Sequence, residues 1–164
     1  MIDVLSGYIE HFRVIEQRST EQRAIIPVLQ RLPFFHSFSD SDIARLLAYT
    51  EVETIPYGQV LLSHGNKNRE LLIIVEGVVS LDSPSGIHRI YGPGDCVGEM
   101  GFIHSTAEKY RAHSRSSLKV LRISNTTLSA MPSKLHLDYY KRISDTLVSR
   151  MARQQATFEP DFKL

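Results

Sequence analysis

The sequence has little of what would commit it to an oxidising compartment, a membrane or nucleic acid. Cys96 is its single cysteine, so no internal disulfide can form and a reducing cytoplasm is the expected location. Neither sign of charge dominates. The 19 Lys and Arg against 18 Asp and Glu leave a formal net charge of +1, which offers no electrostatic case for DNA or for a lipid surface. The longest purely apolar run, Leu71 to Val75, is far too short to span a bilayer. The opening residues Met1-Ile2-Asp3-Val4-Leu5 lack a basic region and carry an early acid, unlike a signal peptide. There is no internal repeat and no low-complexity stretch. What remains is 164 residues, 42% hydrophobic and 23% charged, enough for one domain with a real core.

The pattern begins and ends helical. Ile2, Leu5, Ile9 and Phe12 recur at steps of three and four and predict an amphipathic helix that fades at Ile15. Ser19-Thr20 followed by Glu21-Gln22 reads as a second helix start, with Ile25, Ile26, Val28, Leu29 and Leu32 as its apolar face and Pro27 near its beginning or at a kink. Ser39-Asp40-Ser41-Asp42 is an N-cap cluster for a helix ending near Tyr49. At the other end, Ser124-Asn125 caps a short turn before Pro132. Leu137, Tyr140, Ile143, Leu147 and Met151 then predict a long helix packed through that stripe. Lys141, Arg142, Arg150 and Arg153 lie off the stripe, and the residues from Gln154 read as a flexible tail.

Between Val52 and Ile123 the period changes to that of strands. Short β-type runs at Val52–Tyr57, Gln59–Ser63, Leu71–Glu76, Val78–Leu81, Ile87–Tyr91, Tyr110–Ser116 and Leu118–Ile123 are separated by Gly58, Gly65, Gly77 and a Ser-Pro-Ser-Gly loop. With the short step Cys96-Val97 they predict a mainly β fold: an eight-stranded β-roll or jelly roll with N-terminal helices and a long C-terminal helix.

The chain is organised around Gly92-Pro93-Gly94-Asp95-Cys96-Val97-Gly98-Glu99-Met100-Gly101. A strand runs into a tight turn, an apolar step follows, and a glycine and a glutamate open a helical turn. Free amides at the start of such a turn carry partial positive charge, and a carboxylate stands beside them. That combination suits an anion that also bears hydroxyls.

These features in this order resemble the cyclic nucleotide-binding domain, over roughly Val28 to Gln155. Leu32-Pro33-Phe34-Phe35, Tyr57-Gly58-Gln59 through His64-Gly65, Ile73 to Val79, Pro93-Gly94-Asp95 through Gly98-Glu99, and Leu121-Arg122-Ile123 are similar to the family's landmarks. The resemblance implies a ligand site in which Glu99 holds a ribose 2'-hydroxyl and the amides of Gly98, Met100 and Gly101 hold a cyclic phosphate. It also implies an arginine on the phosphate. Here the sequence departs: an ungapped count back from Leu121 puts Glu108 at that place and Ala107 where a proline is usual, and small shifts bring in Lys109 or Arg111. Alternation along a strand leaves two registers open. Either Glu108 and Tyr110 point inward, or Lys109 and Arg111 do and form a doubly basic pocket. A carboxylate about 4–5 Å from a cyclic phosphate costs roughly 3–4 kcal/mol at an effective dielectric near 20. Losing the arginine removes a further ~1.5–3 kcal/mol.

The resemblance divides the chain into a helical extension at 1–31, a cyclic nucleotide-binding-like domain at 32–156 and a tail at 157–164. Two functions follow from it. One is a stand-alone sensor of cAMP or cGMP that signals through a protein partner, with no DNA-binding or catalytic output domain. The other is a degenerate domain that binds neither nucleotide and serves as an interaction scaffold or takes another anion, such as a cyclic dinucleotide. The N-terminal amphipathic stretch is the expected partner surface, and the C-terminal helix the expected homodimer contact. A third, jelly-roll metalloenzyme reading is weaker. His11, His36, His64, His88, His104, His113 and His136 are scattered and form no paired ligand set, and no nucleophile elbow is present. No catalytic residue, metal or required cofactor is expected.

Overall fold

Leu71 to Val75 form the middle of a strand that is buried on both faces. This accounts for their unbroken apolar run where most strands of the chain alternate. The computed structural model describes Thr20, residues 23–67 and residues 69–158. The amphipathic stretch Ile2–Ile15 and the capping residues Ser19, Glu21 and Gln22 lie outside the described residues.

Residues 23–30 are helical (α1) and run through Pro27. A 3-10 turn, Pro33–Phe35, buries both of its aromatic rings. Helix α2, Asp40–Tyr49, starts at a complete capping box: the Ser39 side chain accepts from the Asp42 amide, and the Asp42 side chain accepts from the Ser39 amide. Eight strands follow: β1 Glu51–Ile55, β2 Val60–Leu62, β3 Glu70–Glu76, β4 Val79–Asp82, β5 His88–Tyr91, β6 Cys96–Val97, β7 Arg111–Ser114 and β8 Leu118–Ser124. A short helix, α3 Glu99–His104, interrupts them after β6. Helix α4, Asn125–Ala130, is capped by Ser124, and α5, Ser133–Phe158, closes the described chain. The eight-stranded roll with flanking helices is thus the observed fold. The helix reaches Phe158, so residues 154–158 do not form the loose tail expected of them.

The strands make two antiparallel four-stranded sheets, in the orders β1-β8-β3-β6 and β2-β7-β4-β5. Period-two alternation splits the core into two layers. Leu71, Ile73 and Val75 of β3 and Leu121 and Ile123 of β8 face the helices. Leu72 and Ile74, with Leu118 and Val120, face the second sheet and meet Val79, Leu81, Tyr91 and Ala112 there. On the outer face of that second sheet, Asp82 of β4 accepts from His88 of β5 and lies 3.3 Å from His113 of β7.

Helix α5 buries the middle of the expected stripe, Ile143 and in part Leu147, but replaces its flanks with Leu135 and Tyr139. Leu135, Tyr139 and Ile143 are buried, whereas Leu137, Val148 and Met151 are exposed. The Tyr139 ring packs edge-on against Phe34 and Phe38, with centroids 5.3 and 6.3 Å away. On a wheel of about 100° per residue, Tyr140 and Met151 sit at the edge of the row that Phe34 and Phe38 receive, and Leu137 nearly half a turn from its centre. Tertiary contact, not apolar content, decides where the buried arc is centred.

Candidate functional site

The stretch from Tyr91 to His104 folds as a ledge hydrogen-bonded to β3. The Gly94 amide donates to the Ile74 carbonyl and the Ile74 amide to the Asp95 carbonyl, both at 2.9 Å. The Gly92 amide donates to Asp95 Oδ2, which locks the turn. Strand β6 continues this pairing, Cys96 opposite Ile73 and Val97 opposite Leu72. Gly98 caps α3 in the left-handed region at φ 87°, a conformation glycine adopts without steric cost. The far end of α3 is held by Asn125, whose side-chain amide donates to the Phe102 carbonyl at 3.1 Å.

Of the residues expected to form the site, Gly98, Glu99, Met100 and Gly101 are brought together in this cap and first turn. Gly101 is buried and Met100 exposed. The segment 108–111 follows the first of the two registers. Glu108 is only 5% exposed and Tyr110 packs partly buried against the inter-sheet core, while Lys109 and Arg111 are exposed. The doubly basic pocket of the other register is therefore not formed. The Glu108 backbone is fixed by two bonds to the loop after β2: its carbonyl accepts from the Gly65 amide at 2.8 Å, and its amide donates to the Asn66 carbonyl at 2.9 Å.

The cation at the site comes from elsewhere. Arg150 of α5 reaches back across the ledge, with Nη1 2.9 Å from Glu99 Oε1. Its Nη2 donates to the Cys96 carbonyl, and its Cζ lies 4.3 Å from the centroid of the Tyr91 ring. The two side chains are 8% and 13% exposed, so this is a buried pair, with the guanidinium stacked on an aromatic face and forked to two acceptors. Burial opposes the charge on Arg150, but Glu99 above all holds its pKa above the usual arginine value. The Cys96 thiol, buried beside this pair, is pushed up to about 12 by burial and by Glu99. A second tie runs from Arg153 to Asp95 at 3.0 Å. These two residues also line a cleft of about 410 Å³ that α5 forms with Pro33 and Gly94.

From the sequence Arg150 is expected to lie off the apolar stripe. Its inward position is legible once that stripe is re-centred on the buried residues. On a wheel of about 100° per residue, Arg150 falls in the middle of the arc set by Leu135, Tyr139, Ile143 and Leu147.

The arrangement supplies a carboxylate, a carbonyl, an aromatic face and a capped helical turn, without a nucleophile–base pair. Among the described residues no group of three or more His, Cys, Asp or Glu side chains is placed to hold a metal ion. No helix of the described residues is long and apolar enough to cross a membrane.

Known proteins share this architecture. The family model of the cyclic nucleotide-binding domain matches residues 52–134. The potassium channel KAT2 of Arabidopsis thaliana is 25% identical over 135 residues, which cover 79% of this chain and 19% of the channel. The chain spans about a fifth of the length of the curated relatives it matches. A cyclic nucleotide-binding domain from Methylobacillus flagellatus superposes with a TM-score of 0.71 at 19% identity, over 89% of this chain and 88% of that one. The regulatory subunit of a cAMP-independent protein kinase A from Trypanosoma brucei superposes with a TM-score of 0.65 at 20% identity, over 84% of this chain and 50% of that one. With two sheets, a capped turn between β6 and β7, a long closing helix and a family match over half its length, this chain belongs to the cyclic nucleotide-binding domain family.

Proposed function

We propose that the chain is a regulatory module of the cyclic nucleotide-binding type that is closed by its own last helix and does not use cAMP or cGMP as its ligand. The observation that carries this reading is the Arg150–Glu99 pair: the carboxylate that the resemblance assigns to a ribose hydroxyl is already held by the protein's own guanidinium. A buried Glu108 at the place assigned to the phosphate-binding arginine supports it. So does the Trypanosoma brucei neighbour, a regulatory subunit whose kinase is described as cAMP-independent. Release of Arg150 frees α5, and the state of α5 is what a protein partner reads. Its outward residues Leu137, Val148 and Met151 are exposed and form the surface for that partner or for a second copy of the chain.

Isothermal titration of the protein with cAMP and with cGMP tests the reading, with no heat expected up to millimolar ligand. A micromolar dissociation constant for either nucleotide in the wild type overturns it. One observation favours the alternative, a true nucleotide sensor: the Gly98 cap and first turn are formed where the resemblance puts such a ligand. Under that alternative the nucleotide must expel Arg150, so Arg150→Ala tightens cAMP binding. Under the favoured reading Arg150→Ala alone confers none, and only Glu108→Arg together with Arg150→Ala brings it into a measurable range.

A further inference from the structure

Three groups converge on the Arg150 guanidinium, and together they suit a planar cation. The Tyr91 ring lies face-on to it at 4.3 Å, Glu99 accepts from Nη1 at 2.9 Å, and the Cys96 carbonyl accepts from Nη2. A ring face below and two acceptors at the edge fit a delocalised, flat donor. A tetrahedral ammonium is a compact point donor and matches two separated acceptors and a ring face less well. The acceptors and the ring belong to the ledge bonded to β3: Tyr91 ends β5, Cys96 lies in β6, and Glu99 opens α3. The guanidinium alone belongs to α5. Another ion pair between this end of α5 and the ledge, Arg153 with Asp95, has its arginine 64% exposed, and such surface pairs are weak.

We propose that this seat is a guanidinium-binding site in its own right, and that an external guanidinium replaces Arg150 when α5 lifts. The ligand class is an arginine side chain presented by a partner protein, or a small guanidinium compound. An incoming guanidinium would gain the same stacking and the same two acceptors that the intramolecular one now uses. It must outcompete a side chain tethered to the same molecule, so the wild type resists exchange and a variant lacking the Arg150 side chain does not. The inference rests on the proposed function only in naming α5 as the element that opens. Its ligand is a cation, whereas the nucleotide question concerns an anion.

The experiment uses the full chain with Arg150→Ala and follows the thermal midpoint while agmatine is titrated into the millimolar range. Putrescine, the diamine lacking the guanidino carbon, is the control. At agmatine about tenfold above its dissociation constant the variant's Tm is expected to rise by about 3–6 °C. Putrescine has no such effect, the wild type shifts by less than the variant, and Glu99→Gln combined with Arg150→Ala does not shift at all. A blocked arginine peptide run in parallel separates the two sources. A response to the peptide points to a partner chain, and a response to agmatine alone points to a small compound. If neither probe stabilises Arg150→Ala, or if putrescine or the double variant responds equally, the proposal is overturned. Should Arg150→Ala be unfolded by itself, recovery of its far-UV spectrum on adding agmatine supports the proposal, and no recovery overturns it. Micromolar binding of cAMP to Arg150→Ala would sink the favoured reading of function and leave the agmatine result standing.

Discussion

Arg150 of α5 and Glu99 of α3 are 51 residues apart in sequence and 2.9 Å apart in space. Both side chains are largely withdrawn from water, so the pair has lost most of its hydration and each charge depends on the other.

That dependence predicts a strongly non-additive cycle. Glu99→Gln leaves a buried guanidinium without its counter-charge and should cost about 3–5 kcal/mol. Arg150→Met should cost a similar amount. The double variant should be more stable than the sum of the two by more than ~1.5 kcal/mol. Urea denaturation of the four proteins measures this, and simple additivity would show that the two charges do not support one another.

Tyr139 lies at the centre of the helix-facing core with no exposed surface, and its hydroxyl has no hydrogen-bond partner among the described residues. Its pKa is raised well above the usual phenol value by burial. Tyr139→Phe removes the stranded hydroxyl and keeps the ring against Phe34, so a stabilisation of about 1 kcal/mol is expected. A destabilised variant would mean that the hydroxyl has an acceptor after all.

Gly94 sits at φ +88°, and a Cβ there would come within 2.8 Å of Pro33 Cδ. The backbone conformation disfavours a side chain, and the proline ring cannot bend aside as a long flexible chain would. Gly94→Ala should therefore cost about 2–4 kcal/mol, read from the shift in denaturation midpoint. A loss under 1 kcal/mol would show that the turn and Pro33 can separate freely.

Cys96 gives the pH dependence. Its thiol ordinarily ionises near 9.0 and is pushed up to about 12 in the fold, first by burial and then by Glu99. The folded pKa is raised, so this contribution to stability is complete below pH 9 and is lost progressively as pH climbs from about 9 to about 12. Cys96→Ala should flatten that alkaline limb. In the wild type at pH 8, labelling by a disulfide reagent should proceed at the rate of unfolding. Rapid labelling of the folded protein would contradict the burial of this side chain.

Much of the architecture was legible because it rests on local rules. The cluster Ser39 to Asp42 announces a helix start, and a capping box is found there. The unbroken run Leu71 to Val75 marks a strand covered on both sides. Gly98 before Glu99 marks the left-handed cap. The site was less legible, because its key cation arrives from a helix whose docking face was misjudged. Helix α5 carries apolar residues over a broad arc, and the aromatic pocket of Phe34 and Phe38 takes Tyr139 rather than Tyr140. That choice turns Arg150 inward, and it depends on residues more than a hundred positions away. The segment leading into β7 was ambiguous for a related reason: alternation gives two registers, and the bonds to Gly65 and Asn66 that fix Glu108 are invisible in its own neighbourhood.

The last helix runs unbroken from Ser133 to Phe158, anchored at Tyr139 by interlocking rings and fastened further along by Arg150. It is in effect a lever with its fulcrum at an oily bearing and its catch eleven residues outward. At 1.5 Å per residue the catch stands about 16 Å from the fulcrum, and the tip about 28 Å. On the proposed function, a swing about Tyr139 that unhooks the guanidinium would be enlarged roughly 1.7-fold at the far end of the described helix, turning an ångström-scale event beside Glu99 into a larger displacement there.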